Sequence, residues 1–498
     1  MQSIKKAPPL YLFLLLVFYL LHHYNELFGF ISLTQIFFYL AICLFTIILF
    51  LLLSLICKSS PTAAFSTFCV LAFFLFFGPV HDLLKSIFGK SFFSSYKFVV
   101  PVSFFLIVLS TLYLNSRSAS LTKLSRYLNM LFVIFCALEL IMVVVNTFRV
   151  LKTNNLIYPD MRLCNTYSSV DLPDSSKPDI YYLVFDEYTN NSTLQKLWGF
   201  DNSPITNWLS NNGFYVISES NSNYNATPFS LGSTFNMNYL DKEIGDKGSS
   251  INDLRANKSL SINETFCILN KENYAIRFIA PFNNSIENNG LSHYFDYLSE
   301  EQLYASTFLG RFARDILWNF KKKKPARFEN FSNSYTGKAE DINRTIAEIK
   351  STTDTSIHRN AKIVYGHLMI THEPHLFDST GNLRSSEDFT TNNQPFSTYT
   401  TQVLYANKVI QGLVSHIQAT NKKNTVIIIQ GDHGYRSLPT SMRNYYFPIF
   451  NAVYFPDKNY AKLYKEMSPV NTFRIFFNQY FNQKYELLKD SSTVVKQL

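Results

Sequence analysis

The sequence predicts a two-part protein: a five-helix transmembrane domain, then an α/β domain whose sheet is covered by helices on both faces. Three observations carry this expectation. The first 150 residues of the 498-residue chain are strongly apolar and almost free of acids. The remainder alternates short apolar runs with helical patterns, as expected of a helix-covered sheet. Two of those runs end in Asp186-Glu187 and in Gly431-Asp432-His433-Gly434, at what would be the carboxyl edge of a sheet, where open α/β folds place their sites.

Five segments, near 9–28, 32–56, 63–84, 96–114 and 128–148, are apolar over the roughly 20 residues that a bilayer requires. Further spans follow the first at once and no small-residue cleavage site precedes a soluble domain, so it reads as a span and not a leader. An odd count puts the amino terminus and the large domain on opposite membrane faces. With Lys5, Lys6, Lys58, Arg117, Lys123 and Arg126 inside, Lys85, Lys90 and Lys97 are left outside, which favours an inside amino terminus and an exported domain. Glu139 is an ionisable group at membrane depth, a mark of function or a partner for a polar group on another helix; no other span offers a matching charge, which puts the packing role ahead.

The net charge of +9 belongs mainly to this part, which sets ten Lys or Arg against Glu26, Asp82 and Glu139. The polar part is nearly balanced and has no dense basic, aromatic-interleaved groove, which argues against nucleic acid as a partner. Cys43, Cys57, Cys69 and Cys136 lie in apolar spans. Cys164 and Cys267 lie in the polar part and can pair if it is exported, a point the sequence leaves open. No Cys-x-x-Cys or finger spacing occurs.

Residues 151–177, with Pro159 and Pro173, read as a linker leading to a domain at 178–498. Strands are expected at 180–185, 273–279, 362–370 and 425–430, and a helix at 399–419. The Asn- and Ser-rich stretches 221–225 and 283–289 read as loops, and the sequons at Asn190 and Asn191 as incidental. Apolar residues from Leu303 to Phe320 recur at helical spacing before Lys321–Lys324. This suits a helix on an anionic lipid surface or, equally, a core helix ending in a solvated charge run.

Three constellations carry chemistry. A lone acid after a strand, such as Asp186, is more often a cap or turn residue. Joined by Asp432 and His433 from another strand end, it makes two carboxylates and an imidazole, a hard and partly open cation site. In the stretch from Asn223 to Leu231, Thr227 is expected to cap a helix whose first residue is Pro228. A hydroxyl there, beside a metal, faces backbone N–H groups that welcome a phosphoryl oxygen, so Thr227 is the candidate nucleophile. Between Tyr365 and His375, His367 is expected within the strand as a core residue. His372 and His375 follow in the loop, suited to a second metal or to phosphoryl oxygens and a leaving group. Glu187 and Arg436 are further candidates for substrate or a second metal.

These motifs and this topology resemble membrane members of the alkaline phosphatase superfamily, the sulfatase-like transferases that include lipoteichoic acid synthases and lipid A phosphoethanolamine transferases. The resemblance covers both halves of the chain. It implies an alkaline-phosphatase-like domain with a central mixed sheet, and one zinc or manganese ion held by Asp186, Thr227, Asp432 and His433. It places His372 against the transferred phosphoryl group and Glu187 as a ligand or a flanking residue. It further implies an integral protein of the cell (inner) membrane with its catalytic domain extracytoplasmic. The activity it implies moves a phospho-substituted head group, of phosphoethanolamine or phosphoglycerol type, from a membrane phospholipid donor to an envelope glycan or lipid acceptor through a covalent Thr227 intermediate. The chain lacks a Cys-x-Pro-x-Arg segment, which sets formylglycine sulfatase chemistry aside. After strand 273–279 it reads Ala280-Pro281-Phe282, where the transferases often carry a His, and that leaves the transferred group open. The alternatives are a membrane-anchored hydrolase of phosphate or sulfate esters and a binding protein on a decayed enzyme fold; joint retention of the acid, the Thr and the Asp-His pair disfavours the last.

Overall fold

The computed structural model describes residues 8–26, 33–89, 91–115, 118–153, 162–169, 173, 176–240, 255–257, 259–260, 262–280, 304, 306–316, 335–353, 361–384, 395–421 and 424–495. The chain forms two compact units, one of residues 1–159 with 294–323, the other of 160–293 with 324–498. A segment of the polar part thus belongs to the first unit.

The first unit contains α1 (Tyr11–Glu26), α2 (Leu33–Ile56), α3 (Ser60–Phe88), α4 (Tyr96–Asn115) and α5 (Ser118–Thr153). The spans Ile36–Ile56, Ser60–Phe88, Tyr96–Asn115 and Leu121–Phe148 are long and apolar enough to cross a membrane. Among the described residues, four of the five expected spans thus meet that standard, and the described part of α1 covers 16 residues where a crossing requires roughly 20. Within α3, Phe76 leaves helical geometry (φ −109°, ψ 15°) three residues before Pro79, as expected where a proline ring crowds the preceding turn.

Tyr11 and Leu15 of α1 pack with Leu128 and Phe132 of α5. Glu139 meets polar groups of another helix: His22 Nδ1 lies 2.8 Å from Glu139 Oε1 and Asn25 Nδ2 donates to Oε2 at 2.6 Å. The partners are an imidazole and an amide, which a count of formal charges does not see.

The segment returned to this unit carries a helix at Phe308–Asp315, capped by the Thr307 side chain, which accepts from Gly310 N. Its apolar stripe meets α3, with the Phe308 ring 5.3 Å and 5.0 Å from those of Phe73 and Phe77, and Arg311 pairs with Asp82. Phe308 of this stripe is therefore covered by a neighbouring helix, whereas Tyr304 and Leu309 stay exposed. Leu303, Leu317, Phe320 and Lys321–Lys324 lie outside the described residues, as do Pro281, Phe282 and the 283–289 stretch.

The second unit is built on six strands: β1 (Asp179–Phe185), β2 (Tyr215–Val216), β3 (Ala275–Ile279), β4 (Lys362–Leu368), β5 (Thr425–Gly431) and β6 (Asn451–Tyr454). Their order is β2-β6-β5-β1-β4-β3. The run β5-β1-β4-β3 is parallel, whereas β6 joins β5 and β2 joins β6 antiparallel, so the sheet is mixed. Every residue of β1, β4 and β5 is buried, which explains their nearly continuous apolar composition. The short strands β2 and β6 escaped the sequence reading, having too few residues to show a period.

The helices of this unit are α6 (Arg162–Thr166), α7 (Asn191–Trp198), α8 (Ser203–Asn211), α9 (Thr227–Asn236), α10 (Glu264–Lys271), α11 (Tyr335–Ser351), α12 (Pro395–Thr420) and α13 (Thr472–Tyr480). Tyr181, Leu183 and Phe185 of β1 cluster with Ile342 and Ile349 of α11 and with Tyr399, Val403 and Ile410 of α12. Ile180, Tyr182 and Val184 cluster with Leu231 and Phe235 of α9, Ile268 of α10 and Phe473 of α13. Cys164 and Cys267 form a disulfide joining α6 to α10, with their Cα atoms 6.0 Å apart.

Candidate active site

The site follows from strand register. Phe185 of β1 stands opposite Gly431 of β5 and, on its other side, opposite Leu368 of β4. The residues that leave the sheet next, Asp186 and Asp432, therefore emerge side by side, and the loop after β4 begins beside them. Glycine brackets the pair for lack of space: a Cβ on Gly431 would lie 2.4 Å from the Tyr188 carbonyl oxygen, and one on Gly434 2.5 Å from that of Tyr445. Thr371 donates to the carbonyl of Asp186, tying the β4 loop to the β1 turn.

Helix α9 brings the hydroxyl. Its N-cap is Ala226, extended at φ −141°, ψ 133°, and Thr227 is the first helical residue. Thr227 is thus one position further into the helix than the expected cap, which aims its hydroxyl at the β5 turn: Oγ1 lies 3.3 Å from His433 Nε2. Ser230, one turn on, donates to the Asp432 carbonyl and clamps the helix to that turn. The Asn-rich stretch before α9 is tied down by its amides: Asn223 Oδ1 accepts from Val470 N at 2.9 Å, and Asn225 Oδ1 from Val495 N at 2.7 Å.

Three acceptors converge at this edge. The Asp432 carboxylate spends Oδ1 on the backbone N–H groups of His433 (2.9 Å) and Glu187 (3.1 Å), while its Oδ2 is buried with no hydrogen-bond partner, as is Oδ1 of Asp186. His433 Nδ1 lies 2.9 Å from the Gly434 carbonyl; a carbonyl can only accept, so Nδ1 carries the proton and Nε2 presents a lone pair. That nitrogen lies 3.5 Å from Asp186 Oδ1 and 3.4 Å from Asp432 Oδ2. One atom from each of the three residues falls within 4.8 Å of the others, and among the described residues this is the only such group of His, Cys, Asp or Glu. Buried acceptors without donors are costly, and a divalent cation satisfies all of them at once. The oxygen and nitrogen donors fit zinc or manganese.

The residues around this group hold different posts. His372 is half-buried, with Nδ1 donating to the Glu373 carbonyl at 2.6 Å. Burial by itself would lower its basicity, but the carboxylates of Asp186 and Glu187 prevail and raise it. Burial likewise opposes ionisation of Asp186, yet the field of His372 and the hydrogen bond from His367 hold its carboxyl well below the usual range. A cleft lined by Lys338, Asp341, Met369, His372, Glu373 and other residues opens beside His372.

Glu187 has φ +63°, a left-handed conformation that costs a non-glycine residue about 1–2 kcal/mol; its carbonyl is held by the Tyr399 hydroxyl at 2.6 Å. Its carboxylate accepts from Arg436 N at 2.9 Å, with Arg436 Nε 3.6 Å away. Glu187 and Arg436 thus engage each other beside the group of three. His375 is 6% exposed, bonds Thr398 through Nδ1 and stands outside that group. Asn190 caps α7, accepting from Thr193 N. Sequence reasoning missed the contact of His367, buried in β4, with Asp186 at 3.1 Å, although strand parity places both on one face.

Fold and site together define an enzyme of the sulfatase-like class. Residues 187–495 match the sulfatase family, and the chain belongs to it. No curated protein sequence matches the chain. Among solved structures, it is similar to the C-terminal periplasmic domain of EcEptC from Escherichia coli in complex with Zn, at 10% identity and a TM-score of 0.39 over 63% of this chain and 85% of that one. It is also similar to the integral membrane lipooligosaccharide phosphoethanolamine transferase A (EptA) of Neisseria meningitidis, at 13% identity and 0.39 over 93% and 92%. A third is the lipoteichoic acid synthase LtaP of Listeria monocytogenes, at 13% identity and 0.35 over 68% and 79%.

Proposed function

We propose that the protein is a phosphotransferase that moves a phospho-substituted head group from a membrane phospholipid to an envelope glycan or lipid through a covalent bond to Thr227. The observation that carries this reading is the position of Thr227 Oγ1, at a helix amino terminus and 3.3 Å from a nitrogen of the candidate cation site. Asp186, Asp432 and His433 would hold the ion, with Thr227 beside them; a divalent cation bound there supplies Lewis-acid charge that makes a hydroxyl nucleophilic at neutral pH. In the first half-reaction Thr227 Oγ1 bonds to phosphorus and releases its proton to solvent. The P–O bond to the donor breaks, and its oxygen takes a proton from His372. In the second, the acceptor hydroxyl gives its proton to His372 as its oxygen replaces Thr227, which regains a proton from solvent. Backbone N–H groups at the start of α9 favour the phosphoryl oxygens.

The long apolar helices supply the reason for a lipid donor, since a membrane-anchored site meets phospholipid at high local concentration. The disulfide supports an exported catalytic unit, because such bonds persist in oxidising compartments. Replacing Thr227 with Ala is expected to lower turnover at least about a thousandfold while leaving the melting temperature near that of the parent. Mass spectrometry of the parent protein incubated with membrane lipids is expected to show a phospho-substituent on Thr227. No added mass together with full activity in T227A would end this reading. Family membership favours a second reading, ester hydrolysis with water as acceptor; release of free head group at the same rate with and without added glycan or lipid acceptor would support it instead.

A further inference from the structure

We infer that His367 is a positioning residue for the cation site: it holds one oxygen of Asp186 so that the other faces the ion, and Tyr365 locks the ring form that can do so. The inference rests on reading Asp186, Asp432 and His433 as cation ligands.

Strand geometry brings the three residues together. Val184 stands opposite His367 and Tyr182 opposite Tyr365, so Tyr365, His367 and, one step past β1, Asp186 share the face covered by α9. His367 is fully buried. Its Nε2 lies 3.1 Å from Asp186 Oδ2 and its Nδ1 2.6 Å from the Tyr365 hydroxyl. An ionised carboxylate only accepts, so Nε2 carries the hydrogen and Nδ1 receives the one on Tyr365. Burial pushes the Tyr365 phenol well above its ordinary value, so that proton stays in place, and the ring is set edge-on to Phe235 at 5.4 Å and against Phe278 at 4.5 Å.

The two carboxylates are thereby used alike and secured differently. Each has one anchored oxygen and one buried oxygen without a partner. For Asp432 the anchors are two backbone N–H groups; for Asp186 the anchor is a side chain, and substitution can remove it. Without it the Asp186 carboxylate is free to turn its orphaned oxygen away, and a ligand set that must reorganise binds its ion more weakly.

The test uses the full-length protein in detergent, stripped by chelation and titrated with Zn²⁺ or Mn²⁺ by calorimetry. His367→Met fills the space without a donor, whereas His367→Gln offers an amide N–H to Asp186. The expected result is a 10- to 100-fold weaker dissociation constant in H367M, of the order that loss of such supporting bonds costs, with H367Q recovering most of it and the stripped H367Q protein melting like the parent. Parent-like affinity in H367M overturns the inference, and so does an equal loss in both variants, which would mean that only the shape of the imidazole matters. Should H367M not fold, Tyr365→Phe decides, since it removes one hydroxyl: weaker metal binding supports the role and unchanged binding overturns it. A parent protein that binds neither ion removes the cation reading itself, a result seen before any variant is compared.

Discussion

Gly431 shows how little room the chemistry leaves at single residues. The β5 turn passes so close to the Tyr188 carbonyl that an added Cβ would sit 2.4 Å from it. Gly431→Ala is therefore expected to destabilise the protein by about 1–3 kcal/mol, the range for overpacking a tight interior, and to weaken metal binding; thermal melts of parent and variant measure the first effect. His375 makes a pH-dependent contribution. Burial pushes its pKa from an ordinary 6.5 to about 4, so the folded chain keeps it neutral. Above pH 6.5 its contribution is complete. As the pH falls from 6.5 towards 4, the unfolded chain takes up a proton that the fold refuses, and stability declines by up to about 3 kcal/mol. Denaturant titrations at pH 7 and pH 5 check this: the difference between them is expected to shrink in His375→Gln.

Elements place these residues, and some of the placing was open to sequence. The apolar runs of β1, β4 and β5 and the acids that end them could be read because buried parallel strands have a distinctive composition. That Asp186 and Asp432 stand next to each other was expected from their places at two strand ends and from the family resemblance, but the strand order and register that bring it about are set by packing between segments far apart in the chain. Thr227 was legible through Pro228, but its place one position into α9, on a helix that Ser230 ties to the Asp432 carbonyl, was not. The disulfide between α6 and α10 closes a sequence separation of 103 residues, a loop that contains β1, Asp186 and Thr227. In the chain-entropy account, losing it in Cys164→Ser/Cys267→Ser costs about 4–5 kcal/mol, which denaturant midpoints with and without reductant would detect.

For the whole molecule, the cation reading predicts a link between metal and stability. An ion that binds the fold and not the unfolded chain stabilises by about 2.7 kcal/mol at a hundredfold excess over its dissociation constant. Chelator is therefore expected to lower the melting temperature of the full-length protein, and added Zn²⁺ or Mn²⁺ to restore it; a melt indifferent to both would count against the site. The division into units belongs to this scale too. Residues 294–323 join the first unit although they lie between β3 and β4 in sequence, so the chain passes between the units more than once. Hydropathy along the sequence did not reveal this, because the helix at Phe308–Asp315 is amphipathic and reads alike whether it covers lipid or protein.

By itself the sequence determined where apolar helices and buried strands lie and which residue types end those strands, because composition and period act locally. It determined as well that a carboxylate pair, an imidazole and a hydroxyl were available. Only the tertiary structure decided which carboxylate oxygens stay without partners, that His22 and Asn25 serve Glu139, that Cys164 meets Cys267, and that His367 stands behind Asp186. Those are contacts between residues far apart in the chain, and they are chosen by register and packing, which no local pattern records.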